Sequence, residues 1–156
     1  MKIHHYKTII EWTGNTGSGT SSYDAYKRDF TASVQGKPDI EGSSDPAFLG
    51  DASRWNPEDM LLAALSSCHK LWYLHFCANA GVIVSAYTDY AEAEMSEGSR
   101  TEPGRFLSVV LRPRITISAD SDADIARALC QKAHQACFIS NSVNFPVTCE
   151  PEIIFE

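Results

Sequence analysis

The longest regular pattern of apolar and polar positions covers residues 56–81, NPEDMLLAALSSCHKLWYLHFCANAG. One set of side chains recurs there at spacings of three or four, as on one face of a helix: Leu61, Leu65, Cys68, Trp72 and His75. Asn56 can cap the first turn, and Gly81 can take the left-handed conformation that closes many helices. The pattern predicts one long amphipathic helix with Cys68 on its inward face.

Alternation of apolar and polar residues predicts a hairpin ahead of this helix. Residues 3–12 and 23–34 are rich in β-branched and aromatic side chains, and a glycine-rich turn separates them. In the second run, Arg28 falls on the same face as Phe30. A buried charge without a partner is costly. We therefore expect Arg28 to lie at a sheet edge or to pair with a carboxylate.

Two further runs after the helix predict a second hairpin. Residues 82–96 and 105–119 have the composition of long strands, and the glycines and the proline between them favour a turn. Ser121 and Asp124 then have the spacing of a capping box. They predict a second, shorter helix that ends near Cys137.

The segments together indicate one α+β domain, residues 1–156. Residues 147–156 have the pattern of a closing strand, and hydrophobic residues make up 44% of the chain, enough for a real core. Strands in hairpins with few helices favour an antiparallel sheet that has the helices packed on one face.

The composition limits the kinds of molecule that the protein is expected to bind. The chain has 13 basic and 20 acidic residues, and its formal net charge of −7 makes nucleic acid an unsuitable partner. No apolar run approaches the roughly 18 residues that span a bilayer, and the first residues lack the apolar segment of a signal peptide. We expect a cytoplasmic protein. Its five cysteines, an odd number, are then expected to be reduced rather than held in a disulfide framework.

Cys68 is the main candidate for chemistry. It lies well inside the helix, ten residues after Glu58, so the helix dipole cannot lower its pKa. A guanidinium within about 4–6 Å would favour the thiolate, and Arg28 is the natural candidate, with Glu58 to orient it. The alternative is that Cys68 is a small core residue. That plain core role is expected of three other cysteines: Cys77, Cys130 and Cys149.

Two separated segments resemble one known family. The first is NPEDMLLAALSSC, residues 56–68, and the second is HQACFISNSVNFPV, residues 134–147. In this order they are similar to the OsmC/Ohr family of thiol-dependent hydroperoxide reductases. The resemblance implies an OsmC-like fold along nearly the whole chain. It also implies an intertwined homodimer with two active sites at the interface.

The resemblance implies roles for four residues. Cys68 matches the cysteine that attacks the peroxide, and Cys137 matches the resolving cysteine. Glu58 matches the acid that orients an arginine, and Arg28 is the best match for that arginine.

The sequence also departs from the family pattern. His69 follows the first cysteine, where better characterised members usually have an aromatic residue. Phe138 and Ile139 follow the second, where a Pro-Tyr pair is common. We therefore expect a divergent branch of the family.

The mechanism that the resemblance implies needs no bound cofactor and no metal. The Cys68 thiolate attacks a peroxide oxygen and becomes a sulfenic acid, which condenses with Cys137 to a disulfide. An external dithiol, with a lipoylated protein as the family precedent, then reduces the disulfide. An apolar pocket that favours organic hydroperoxides is expected to include Phe30, Leu65, His69 and Trp72.

Three alternatives stay open at this point. A zinc site could use Cys68, Cys137, His134 and His75, but it lacks the CxxC or HExxH spacing of such sites. The fold could hold an apolar ligand without turnover, in which case Cys68 would resist alkylation. It could also sense peroxide, in which case peroxide loss would be stoichiometric rather than catalytic.

Overall fold

The chain folds into two compact units that part after Met60, in a computed structural model that describes residues 2–156. The first unit holds a three-stranded sheet, made of β1 (Ile9–Trp12), β2 (Phe30–Ser33) and β3 (Ile40–Gly42). β2 is the central strand and pairs antiparallel with both neighbours. The predicted first hairpin is present, although its strands are shorter than predicted.

Arg28 lies outside β2, so its predicted place within the second strand is wrong. β2 begins at Phe30, and the chain before it approaches the continuation of β1 closely at Gly14, whose carbonyl accepts the Lys27 N–H. A Cβ on Gly14 would lie 1.8 Å from the carbonyl oxygen of Lys27, so only glycine allows this approach. The backbone hydrogen bonds here join Thr13 to Asp29 and Gly14 to Lys27, and they pass over Arg28. Alternation of side chains therefore does not hold at Arg28.

The central helix, α1, spans Pro57–Ala80 and begins as predicted. The Asn56 side chain accepts a hydrogen bond from the Asp59 N–H at 2.7 Å, and Gly81 closes the helix with a φ of 74°. The buried face repeats every four residues: Leu65, His69, Tyr73 and Cys77. This face is rotated from the predicted one, because His69 lies on it and periodicity counts histidine as polar. Cys68 is consequently only partly buried.

Four strands follow α1, where the sequence predicted two. They are β4 (Val84–Asp89), β5 (Glu92–Gly98), β6 (Pro103–Leu111) and β7 (Pro113–Ile117). β5 pairs with β6 in one sheet, and β4 pairs with β7 in another. The boundary between β6 and β7 lies at Arg112, whose N–H donates to the Asp89 carboxylate at 2.8 Å. Pro113 follows, and it has no N–H to donate to a neighbouring strand. The predicted long hairpin is thus divided between two sheets.

The end of the chain completes both sheets. β8 (Val147–Cys149) pairs parallel with β6, and β9 (Glu152–Phe155) pairs parallel with β7. The two three-stranded sheets of the second unit are therefore mixed rather than purely antiparallel. Parallel pairing was not predicted, because the sequence pattern of a short strand does not reveal its direction.

The second helix, α2, spans Ala123–Ala136. Its cap is Asp122, which accepts the N–H groups of Asp124 and Ile125, rather than the predicted Ser121. The Ser121 hydroxyl instead accepts the Ile83 N–H at 2.9 Å. The predicted helix is correct, and the cap is displaced by one residue.

The core of the second unit consists of two apolar clusters. The larger includes Tyr73, Cys77, Ile115, Ile117 and Ala126, and the smaller consists of Leu65, Val109, Leu111 and Val147. Cys149 packs against both. Among residues 2–156, no helix combines the length and the apolar character needed to cross a membrane.

Candidate functional site

Two cysteines that are distant in the sequence meet in the second unit. Cys68 lies in the middle of α1, and Cys137 is the C-terminal cap residue of α2. Their thiols lie near enough for Cys137 to shift the pKa of Cys68. Cys137 is fully buried and Cys68 is only partly buried. A solute therefore reaches the sulfur of Cys68 before that of Cys137.

The turn after α2 points backbone N–H groups at both sulfurs. The backbone N–H groups of Ile139 and Phe138 act on Cys68, where they lower the pKa of the thiol. The N–H of Ser140 donates to Sγ of Cys137, with 3.4 Å between nitrogen and sulfur. Consecutive N–H groups of this kind favour negative charge. Sequence analysis gave this turn no role, since backbone donors leave no mark in side-chain patterns.

The surroundings of Cys68 favour its protonated form. Burial raises the pKa of the Cys68 thiol, and the hydrogen bond with Cys137 raises it further. The N–H groups of Ile139 and Phe138 lower the pKa, but by less. These contacts alone leave Cys68 a thiol at neutral pH. A nearby positive charge would be needed to favour the thiolate, and the sequence predicts that Arg28 supplies it.

The predicted pocket residues occupy different environments. Trp72 follows Cys68 by one helical turn, and its ring packs edge-on against Phe138 with 5.5 Å between centroids. Leu65 and His69 are fully buried. Phe30, in the first unit, covers Gly42. A shared substrate pocket for these residues stays a prediction.

Arg28 and Glu58 belong to the first unit. The Arg28 guanidinium donates to the backbone carbonyls of Tyr26 and Tyr23. Its central carbon lies 4.3 Å and 4.4 Å from the centroids of the two tyrosine rings. Glu58 lies in the first turn of α1. Across residues 2–156, no ion pair joins Arg28 to Glu58, so orientation of the arginine by this acid also stays a prediction.

Comparison with known proteins identifies the family. Residues 50–152 match the family model described as OsmC-like protein. The chain belongs to the OsmC family. The matched range includes α1, α2 and both cysteines of the Cys68–Cys137 pair. The predicted α+β, OsmC-like fold is confirmed.

Individual relatives and solved structures are similar to this chain along nearly its full length. An OsmC-like protein of unknown function from Vibrio cholerae is 29% identical, with a TM-score of 0.87 over 96% of this chain and 100% of its own. The organic hydroperoxide resistance protein OsmC of Legionella pneumophila shares the fold at 18% identity, with a TM-score of 0.67 over 97% and 99% of the two chains. The uncharacterised protein YmaD of Bacillus subtilis is 23% identical, covering 97% of this chain and 95% of its own. These low identities are consistent with a divergent branch of the family.

A second sulfur cluster in this OsmC-family chain was missed by sequence analysis. It consists of His69 from α1, Cys130 from α2 and Cys149 from β8. A ring nitrogen and the two sulfurs all lie within 4.8 Å of one another. The hydrogen bond between the thiols raises the pKa of Cys130 and lowers that of Cys149. No spacing signal could have identified this cluster, because three separate elements supply it.

The zinc site considered from the sequence does not form. Within residues 2–156, the His, Cys, Asp or Glu side chains close enough together to hold an ion are those of His69, Cys130 and Cys149. His75 is instead exposed and contacts Asn79, with 3.1 Å between the two nitrogens.

Proposed function

We propose that this OsmC-family protein reduces organic hydroperoxides to alcohols, using Cys68 and Cys137. The observation that supports this most is the meeting of the two thiols, one reachable and one buried. A partly exposed attacking thiol with a buried partner suits a two-cysteine cycle, because the partner reacts only after the first thiol is oxidised. Members of the same fold include organic hydroperoxide resistance proteins.

The chemistry balances with the groups present. The Cys68 thiolate attacks one peroxide oxygen, the O–O bond breaks as an S–O bond forms, and two electrons pass from sulfur to the peroxide. The alcohol leaves with a proton, and Cys68 becomes a sulfenic acid. The Cys137 thiol then attacks the Cys68 sulfur, so that a disulfide forms and water leaves. An external dithiol, for which we propose a lipoylated protein, reduces the disulfide in a cytoplasmic setting.

The proposed preference for organic substrates rests on aromatic side chains. Trp72 lies one turn beyond Cys68, and its ring packs against Phe138, which has 70% of its surface exposed. Such apolar surface would favour an alkyl peroxide over hydrogen peroxide. Phe30, Leu65 and His69 are the other members of the proposed pocket.

The function is tested by mapping the cysteines after exposure to one equivalent of an organic hydroperoxide. We expect mass spectrometry to find a Cys68–Cys137 disulfide, and the protein to consume many equivalents when dihydrolipoamide is supplied. Stoichiometric loss would favour a sensor instead. A Cys68 that resists both alkylation and sulfenic acid trapping would favour a ligand-binding module.

Arg28→Gln is expected to slow hydroperoxide reduction at neutral pH roughly tenfold or more, because the proposed cation no longer favours the Cys68 thiolate. The pH midpoint of Cys68 alkylation should move upward at the same time. The measurement is the rate of iodoacetamide labelling of Cys68 across pH, followed by mass spectrometry. Arg100→Gln, in an exposed turn, is the matched control and should behave like wild type. Equal pH profiles for both variants would contradict the proposed effect of Arg28 on the Cys68 thiol.

The protein is also proposed to be a homodimer, and β1 supports this. β1 lies at an edge of the first unit's sheet, and all four of its residues are exposed. They include Ile10, at 61% exposure, and Trp12, at 43%. An exposed apolar edge is a template for pairing, and a second copy of the chain would cover it.

Ile10→Lys is therefore expected to shift the protein from dimer to monomer, because a lysine at the edge opposes strand pairing. Sedimentation velocity measures the change. Ile40→Lys places the same charge on β3, at the opposite edge of the sheet, where Ile40 pairs with Ala32 and Gly42 is bridged to Trp55. That control should remain dimeric. A monomeric wild-type protein at micromolar concentration would contradict the proposal.

A further inference from the structure

The cluster of His69, Cys130 and Cys149 is a polar site inside an apolar core. His69 is fully buried, and Cys130 has only 3% of its surface exposed. Cys130 belongs to the larger apolar cluster, together with residues such as Tyr73 and Ile115. Two thiol sulfurs and an imidazole nitrogen are ligand atoms that thiophilic metal ions prefer. Apolar packing alone does not account for the three groups lying together in such surroundings.

The hydrogen bonds of His69 leave one ring nitrogen suited to a metal ion. Nε2 lies 3.2 Å from the carbonyl oxygen of Cys130, so Nε2 carries the proton and donates it. Nδ1 is then unprotonated, and the hydrogen bond that its lone pair accepts from the Tyr87 hydroxyl is long, at 3.5 Å, so an ion could replace it. A histidine that binds a metal usually donates its other N–H to a carbonyl or carboxylate in this way. The ring is therefore already held in a tautomer that can bind an ion.

We infer that His69, Cys130 and Cys149 bind one thiophilic d¹⁰ cation, with Zn²⁺ as the expected ion. Ligand atoms around tetrahedral zinc lie about 3.6 to 3.8 Å apart, so atoms within 4.8 Å need to close by about 1 Å at most. Sulfur ligands disfavour Mg²⁺ and Ca²⁺, which take oxygen.

Charge favours the divalent ion. When Zn²⁺ binds, both thiols release their protons, and two thiolates with neutral His69 make the site neutral overall. Cu⁺ with the same ligands leaves a net negative charge in the core, which costs more to bury. The partly exposed Cys149 provides the entry path, and water can take the fourth position of a zinc ion.

The test uses the full chain with Cys68→Ser and Cys137→Ser, which removes the other thiol pair. Reduced protein is titrated with Co²⁺ as a spectroscopic probe for the zinc site, and then with Zn²⁺ in competition. Thiolate-to-cobalt charge-transfer absorption should appear at one ion per chain. Adding Cys149→Ser should weaken binding at least roughly tenfold, whereas adding Cys77→Ser, another buried cysteine of the same core, should leave it unchanged.

A second measurement does not depend on the folding of any variant. Zn²⁺ added to the wild-type protein should protect Cys149, the partly exposed member of the cluster, from alkylation while Cys68 stays reactive. Binding that His69→Gln leaves unchanged would exclude His69 as a ligand and overturn the three-residue site. Protection of Cys68 and Cys137 instead, or equal binding with and without Cys149, would overturn the inference.

Discussion

Cys68→Ser is expected to abolish hydroperoxide consumption, lowering the rate roughly 10³-fold or more. A serine hydroxyl is far less acidic and less nucleophilic than a thiol, and it cannot pass through a sulfenic acid. The measurement is consumption of an organic hydroperoxide with dihydrolipoamide in excess.

Two other cysteine variants serve as controls for this result. Cys77→Ser alters a buried cysteine on the same helix, nine residues further along, and should retain turnover. Without added reductant, Cys137→Ser should consume one equivalent and stop at the sulfenic acid, which a dimedone-type reagent traps. Robust turnover by the Cys68→Ser protein would exclude the proposed peroxidase activity.

Leu111→Ala is expected to lower the free energy of unfolding by about 2–5 kcal/mol. Leu111 is fully buried, and it packs with Leu65, Val109 and Val147 in the smaller apolar cluster. Since domains are stable by only about 5–15 kcal/mol, the loss is a large fraction of the total. Urea denaturation followed by tryptophan fluorescence measures it.

Leu107→Ala provides the matched control on the same strand. Leu107 has 44% of its surface exposed, so its truncation should cost less than about 1 kcal/mol. Similar losses for the two variants would show that burial of the side chain does not determine the cost of truncation along β6.

Features encoded locally were predicted correctly from the sequence. The limits of α1 follow from Asn56 and Gly81, because capping depends on residues within one turn. The cysteines that meet were also found, because their flanking segments resemble a family. These predictions needed no knowledge of how distant segments pack.

Features that depend on distant contacts were not predicted. His69 is buried because Cys130 and Tyr87 satisfy its ring nitrogens, and both lie far away in the sequence. Strand pairing is interrupted at Tyr90 and Arg112, because the Asp89 carboxylate accepts the Arg112 N–H. The alternation of side chains in the sequence does not reveal this hydrogen bond. The second sulfur cluster was missed for the same reason, since its three members come from separate elements.

The break at Arg112 has a consequence for how the chain tolerates changes in length. β7 begins directly after it, with Pro113, Ile115 and Ile117 buried and Arg114 exposed. Successive side chains of a strand face opposite ways, so one inserted residue here would turn both isoleucines toward water. The turn between β5 and β6 has no such constraint, because its residues are exposed. Natural insertions and deletions in this branch should therefore be found in that turn and be absent from the junction at Arg112.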